Sequence, residues 1–114
     1  MISAIIYAII DDGYFYIGST SKTLEIRLIR HISSSKNKSF NMKLYKFMNE
    51  QRNGNWDNCI IIPLETIECD NKKILHDKKY EYINKHINDP LSLNDVINNK
   101  QKYSIITHYR KNKL

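Results

Sequence analysis

The chain has 114 residues, of which 41% are hydrophobic and 26% are charged, and its formal net charge is +6 at pH 7. This length suffices for one domain with its own core. No apolar run approaches the roughly 20 residues of a membrane-spanning helix, so we expect no membrane partner. The two cysteines, Cys59 and Cys69, form no Cys-x-x-Cys pair. They argue against a zinc site and favour a reduced, intracellular protein of the cytosol or nucleus.

Most of the net charge lies at the C-terminal end. Residues 98–114 contain no acidic residue and five basic ones: Lys100, Lys102, Arg110, Lys111 and Lys113. A basic segment with tyrosines beside a nearly neutral body is typical of a protein that binds a polyanion such as nucleic acid. The alternative is that these charges only keep the protein soluble. We therefore expect a domain over residues 1–96 and a basic C-terminal extension over residues 97–114.

The N-terminal residues predict a β-hairpin. Residues 2–10 are rich in isoleucine, which favours a first strand, and residues 14–18 favour a second. Asp11-Asp12-Gly13 between them is typical of a tight turn. The two strands are therefore expected to pair antiparallel.

A helix is expected after the hairpin, from about Lys22 to Ile32. Ser19-Thr20-Ser21 offers side chains that could cap its N-terminus. Arg27 and His31 are four residues apart on this helix, so they should project from one face on successive turns.

The remaining elements are a helix, a strand and a helix. Apolar spacing over residues 40–48 predicts the helix, and residues 59–67 predict the strand, in which Pro63 indicates an edge position or a bulge. The last helix is expected to begin at a cap, Asp70 or Asn71, and to reach about His86. Its predicted core contacts are Ile74, Leu75, Tyr82 and Ile83.

Several short motifs along this pattern share the spacing of a known family. They are, in chain order, Tyr7, Tyr16-Ile17-Gly18, Arg27-x-x-x-His31, Leu75-x-x-x-Lys79-x-x-x-Ile83 and Asn94. Together, over roughly residues 4 to 95, they resemble the GIY-YIG nuclease family. Ile5 stands where that family has the glycine of its first motif, a change that the family often tolerates. The element order agrees with the family's α/β (α+β) fold, a small three-stranded antiparallel sheet flanked by about three helices.

The resemblance implies a metal-dependent endonuclease that hydrolyses DNA phosphodiester bonds with Mg²⁺ or Mn²⁺. Such hydrolysis needs an activated water, a cation over the developing phosphorane charge and assistance for the leaving oxygen. By resemblance, Tyr7 is the general base or its close helper, and Tyr16 positions water or metal. Arg27 grips the scissile phosphate with its forked donors. His31 transfers a proton or hydrogen-bonds to a tyrosine.

Two further residues have supporting roles by the same resemblance. Gly18 lets backbone or substrate approach closely where the second strand ends, and Asn94 holds part of the network together. Taken singly, each site residue has an ordinary alternative. A tyrosine at a strand end usually packs, a helix arginine or histidine is usually solvated, and an asparagine usually caps or turns the chain.

Lys79 departs from the family pattern, because the family supplies a carboxylate ligand to the divalent ion from this position. Magnesium prefers oxygen ligands, and an ammonium group cannot serve as one. The chain is then an inactive or impaired nuclease, or Glu81 or Asp77 supplies the carboxylate from about 200° around the helix. The remaining alternatives are that Lys79 acts on the phosphate itself or that the third helix aligns differently.

Three functions are consistent with these features. The first is a DNA endonuclease domain impaired by Lys79. The second is a non-catalytic nucleic-acid-binding module that uses the same groove and the basic tail. The third is a structural or partner-binding domain. Cleavage that depends on added metal separates the first two, and salt-sensitive DNA binding separates the second from the third. The sequence indicates no oligomeric state.

Overall fold

A computed structural model of the protein describes residues 1–95. Its elements are, in chain order, β1 (Ile2–Asp11), β2 (Tyr14–Thr20), α1 (Leu24–Ser35), α2 (Lys43–Gln51), β3 (Ile60–Cys69) and α3 (Lys72–His86). Over these residues the fold is α+β, a three-stranded antiparallel sheet with three helices, so the predicted fold class is confirmed. The basic extension lies outside the described residues. None of the three described helices is long and apolar enough to cross a membrane.

The predicted hairpin is confirmed. β1 is the central strand, and it pairs antiparallel with β2 on one side and β3 on the other. Asp12 and Gly13 connect β1 to β2 with φ of 49° and 86°, the positive values that a type I′ hairpin turn requires. β2 continues beyond the predicted end at Gly18 to Thr20, because β1 still offers Ile5 as the partner of Thr20.

Pro63 lies on an edge strand and beside a bulge, so both predicted alternatives are confirmed. β3 has β1 on one side, and its other edge pairs with no strand among the described residues. Its register against β1 shifts between Ile6, which faces Glu65, and Tyr7, which faces Pro63. Leu64 is the extra residue. A proline has no N–H to donate, so it is tolerated where the ladder is interrupted.

The first helix begins later than predicted. Thr23, and not Ser19, Thr20 or Ser21, is its N-cap, and its side chain accepts a hydrogen bond from the backbone N–H of Ile26 at 3.2 Å. The prediction was wrong because Thr20 still belongs to β2, and its hydroxyl accepts the N–H of Lys22 at 3.0 Å in a local turn.

The other two helices differ from the prediction in detail. α2 begins at Lys43, three residues after the predicted start, and the Asp95 carboxylate accepts the Lys43 N–H at 3.1 Å. Asn71 caps α3, as predicted, and accepts the N–H of Ile74 at 3.1 Å. Ile74 is 47% exposed, so its predicted core contact is wrong; Leu75, one residue later on the helix, is the buried residue.

The core has two halves, one on each face of the sheet. Side chains along a strand alternate between its faces, so Tyr7 and Ile6 of β1 belong to different halves. The Tyr7 half contains residues of α2 and is covered by apolar residues of α1. The Ile6 half contains Leu75 of α3, and the predicted contacts Tyr82 and Ile83 pack against it. Tyr7, Arg27 and His31 of the candidate site belong to the Tyr7 side, whereas Lys79 lies on α3, which packs against the other half.

Candidate functional site

Tyr7 is the centre of a chain of hydrogen bonds between β1, α1 and α2. Its side chain is 0% exposed, and its hydroxyl oxygen accepts a hydrogen bond from Arg27 Nε at 3.1 Å. The same hydroxyl lies 2.6 Å from His31 Nε2, and His31 Nδ1 lies 2.9 Å from the hydroxyl of Tyr45. Arg27 and His31 meet one phenol, which confirms that they project from one face of α1.

Gly18 makes room for this phenol. It lies opposite Tyr7 in the ladder between β1 and β2. A Cβ atom at position 18 would lie 2.5 Å from the Tyr7 hydroxyl oxygen and 2.7 Å from its ring carbon Cζ. The close approach expected at Gly18 therefore exists, but the Tyr7 side chain makes it instead of backbone or substrate. Only glycine fits here without moving the ring.

Tyr16 packs beside the network without a hydrogen bond to it. Its ring centroid lies 6.4 Å from that of Tyr7 and 5.4 Å from that of His31, edge-on to the imidazole. Burial raises the pKa of Tyr16, and the neighbouring Tyr7 and Asp95 raise it further, against the effect of Arg27. Tyr16 is therefore a neutral phenol at pH 7, suited to donate a hydrogen bond and not to act as a base.

Asn94 hydrogen-bonds to the backbone of the site and to none of the side chains in the network. Its Oδ1 accepts the N–H of Ile17 at 3.0 Å, and its Nδ2 donates to the Ile17 carbonyl at 2.9 Å. Leu93 adds a bond from its N–H to the carbonyl of Phe15 at 2.7 Å. The Asn94 side chain thus pairs with β2 as a strand backbone would. It holds the strand that carries Tyr16 and Gly18.

The two buried groups of the network are both neutral. Burial lowers the pKa of His31 to about 4, and the nearby charge of Arg27 acts in the same direction. Burial raises the pKa of Tyr7, and the charge and hydrogen bond of Arg27 only partly oppose this. Because Tyr7 and His31 are both 0% exposed, neither touches solvent in the described structure. Their geometry serves to hold Arg27 in place.

Arg27 and Lys79 are two half-buried cations, and the charge of Arg27 disfavours the charged form of Lys79. Burial lowers the pKa of Lys79, and the charge of Arg27 lowers it further. Among residues 1–95 neither forms a salt bridge; the ion pairs there join Arg52 to Asp11, and Lys78 to Glu65 and Glu81. Unpaired, partly desolvated cations of this kind are suited to bind an anion.

The described residues do not fit a divalent metal ion. In residues 1–95 no three His, Cys, Asp or Glu side chains lie together as a group that could hold one. Lys79 stands where the family resemblance places the carboxylate ligand, and a protonated amine has no lone pair to offer. Glu81, an alternative carboxylate, lies 3.5 Å from Lys78 Nζ, about 200° around α3 from position 79. Mg²⁺ or Mn²⁺ therefore lacks the oxygen ligands it prefers.

Sequence reasoning missed two residues of this region. Tyr45 is 4% exposed and hydrogen-bonds to His31. It lies next to Leu44 within the predicted helix of residues 40–48, but no spacing in the sequence linked it to His31. Asp95 caps α2 and contributes to the raised pKa of Tyr16. No spacing in the sequence linked it to either partner.

The chain matches no protein-family model, no curated protein and no solved structure. The GIY-YIG resemblance of its motifs therefore stays a prediction, and the geometry described above is the basis for function.

Proposed function

We propose that this chain is a DNA-binding domain of the GIY-YIG endonuclease type, which engages a phosphodiester at Arg27 and cleaves it poorly or not at all because Lys79 replaces the metal-binding glutamate. The observation that carries the proposal is that Arg27 and Lys79 are both half-buried and that neither has an acidic partner within residues 1–95. The basic residues of the extension would add to the attraction for DNA.

The way Arg27 is held suits phosphate binding. Tyr7 accepts the Nε hydrogen, and no described residue is bonded to the two terminal nitrogens, which carry four of the five guanidinium N–H donors. Such a fork matches the oxygens of a phosphate. Tyr7 is itself fixed by His31 and by the tight fit against Gly18. Less conformational freedom is then lost when a phosphate binds.

Lys79 supports an anionic ligand for an electrostatic reason. Its pKa is lowered in the free protein because burial and Arg27 both disfavour its charge. A phosphate near both cations would offset this repulsion and favour the charged lysine. The ligand class that fits two cations and no carboxylate is a polyanion, and the basic extension favours nucleic acid.

Impaired cleavage follows from the same groups. Hydrolysis of a phosphodiester by the family's chemistry requires a metal ion, for which the described residues offer no ligand group. The alternative of an active endonuclease is favoured by one observation, the intact chain from Arg27 through Tyr7 to His31.

The test is DNA binding without metal. Fluorescence anisotropy of a labelled duplex, in EDTA and at several salt concentrations, compares the full chain with Arg27→Ala and Arg30→Ala. Arg30 is the matched control, because it is an exposed arginine on the same helix. We expect Arg27→Ala to weaken binding by roughly tenfold or more, the value of a hydrogen-bonded charge at a phosphate, and Arg30→Ala to weaken it far less.

Two results would overturn the proposal. Equal losses for both variants would mean that only long-range charge attracts DNA, without a site at Arg27. No salt-sensitive binding by the unmodified chain would favour a structural or partner-binding domain.

A further inference from the structure

We propose that Tyr45 is a positioning residue of the phosphate site, because its hydroxyl favours the tautomer of His31 that carries its proton on Nδ1. In that tautomer Nε2 accepts a hydrogen bond from the Tyr7 hydroxyl, and the Tyr7 oxygen remains free to accept the bond from Arg27. The consequence for phosphate binding rests on the proposed function. The assignment of the protons rests on the geometry of the network alone.

Tyr7 and His31 are closed to water, so their protons must be shared within the network. Tyr7 and His31 are 0% exposed and Tyr45 is 4% exposed. Their contacts, 2.6 Å from Tyr7 to His31 and 2.9 Å from His31 to Tyr45, are both within hydrogen-bonding distance. A neutral imidazole has one N–H donor and one acceptor nitrogen. Each contact therefore has a direction, and the two directions are linked through the ring.

One direction pairs the Tyr7 hydroxyl and both ring nitrogens of His31. Arg27 Nε–H donates to the Tyr7 oxygen, and the Tyr7 hydroxyl donates to His31 Nε2. His31 then carries its proton on Nδ1 and donates it to the Tyr45 oxygen. The proton left over is that of the Tyr45 hydroxyl, and Tyr45 is the one member of the three that is not fully buried.

The opposite direction leaves a proton without an acceptor. If Tyr45 donated to Nδ1, His31 would donate from Nε2 to the Tyr7 oxygen, which already accepts from Arg27. The buried Tyr7 hydroxyl would then have no acceptor among the described residues. An unsatisfied buried donor costs on the order of 1–3 kcal/mol, so the first direction is favoured.

Tyr45 thereby acts on Arg27 through the side chains of His31 and Tyr7. Without the Tyr45 hydroxyl, a proton on Nδ1 has no acceptor, whereas a proton on Nε2 leaves the Tyr7 hydroxyl without one, so the energetic preference for Nδ1 becomes smaller. In the molecules with the proton on Nε2, the Tyr7 oxygen receives two donors while its own proton is unpaired. The bond that orients the Arg27 guanidinium is weakened, although no residue that could touch DNA has changed.

The test is the imidazole ¹⁵N NMR spectrum of the full chain. We expect the unmodified protein to carry the His31 proton on Nδ1, and Tyr45→Phe to place a measurable fraction of it on Nε2. DNA affinity in EDTA should fall by roughly three- to tenfold, about the effect of one hydrogen bond. Tyr82→Phe is the control, because its hydroxyl also donates a bond, to Glu65 at 2.7 Å on the other half of the core.

Each outcome bears on a different part of the account. A proton on Nε2 in the unmodified protein overturns the inference without any variant, and so does an unchanged tautomer in a folded Tyr45→Phe protein. A changed tautomer with unchanged DNA affinity overturns the link to Arg27. If the unmodified chain binds no DNA while His31 carries its proton on Nδ1, the proposed function fails and the proton assignment stands.

Discussion

Gly18→Ala should disrupt the site through a single added methyl group. The new Cβ would lie 2.5 Å from the Tyr7 hydroxyl oxygen, 2.7 Å from Cζ of the same ring and 3.0 Å from a ring carbon of Tyr16. All three contacts are with rings that are packed between β2 and the helices. The strain therefore falls on the side chain that holds Arg27.

The size of the effect follows from these distances. To reach ordinary van der Waals contact, which begins at 3.4 Å, the Tyr7 hydroxyl must move by about 0.9 Å. A shift of that size disturbs both bonds of the same hydroxyl, at 2.6 Å to His31 and at 3.1 Å to Arg27. Overpacking of this kind costs about 1–3 kcal/mol of unfolding free energy, and lost bonds at the buried phenol add to it.

The direction of the change in stability distinguishes a clash at position 18 from its absence. Gly18 has no positive φ, so without a clash the alanine would stabilise the protein by about 0.4–1 kcal/mol through the unfolded state. Urea denaturation of both proteins measures the difference, and the ¹⁵N signals of His31 report whether its contact with Tyr7 survives. Gly54→Ala is the control: its φ is +77°, its nearest neighbour lies 3.8 Å away, and it should destabilise without altering His31.

An unchanged or higher stability of Gly18→Ala would refute the reasoning. It would show that Tyr7 does not lie against Gly18, and the network built on that contact would lose its support. A destabilised variant with an unperturbed His31 would place the strain elsewhere.

Two further predictions concern the neighbours of this network. His31 has a pKa of about 4 in the folded protein against 6.5 when unfolded, so the unfolded state binds more protons between these pH values. The free energy of unfolding should therefore fall by up to about 3 kcal/mol as pH drops from 6.5 to 4. Urea denaturation at pH 7 and 4.5 should show that His31→Gln lacks this contribution, and an equal loss of stability in acid by both proteins would contradict the prediction. Asn94→Ala leaves the N–H and C=O of Ile17 without their side-chain partner and should lower the free energy of unfolding, measured by urea denaturation, by about 2–4 kcal/mol. A loss below about 0.5 kcal/mol would mean that water replaces the amide.

Much of the fold could be predicted because its signals are local. Positive φ at Asp12 and Gly13 is encoded in two neighbouring residues, and Pro63 excludes a regular central strand by its chemistry alone. The face shared by Arg27 and His31 follows from helical periodicity. The end of β2 at Thr20 could not be predicted, because its partner Ile5 lies fifteen residues earlier.

The candidate site was predicted less completely, because its decisive contacts are between distant elements. Tyr45 of α2 meets His31 of α1 only after the two helices pack on one face of the sheet. Burial of Tyr7 and His31 also depends on packing, and it changes their role from accessible acid–base groups to supports of Arg27. The sequence indicated the residue types, but their accessibility required the fold.

The central claim is that Lys79 occupies the position from which a carboxylate would bind the metal ion. Nicking of supercoiled plasmid with Mg²⁺ or Mn²⁺ tests it most directly, with the unmodified chain, Lys79→Glu, and Lys78→Glu as a control of equal charge change on the adjacent residue. Lys78 pairs with Glu65 and Glu81, away from Arg27. We expect metal-dependent nicking by Lys79→Glu alone. Equal nicking by the unmodified chain and Lys79→Glu would contradict the account, because the metal ligand would then lie elsewhere.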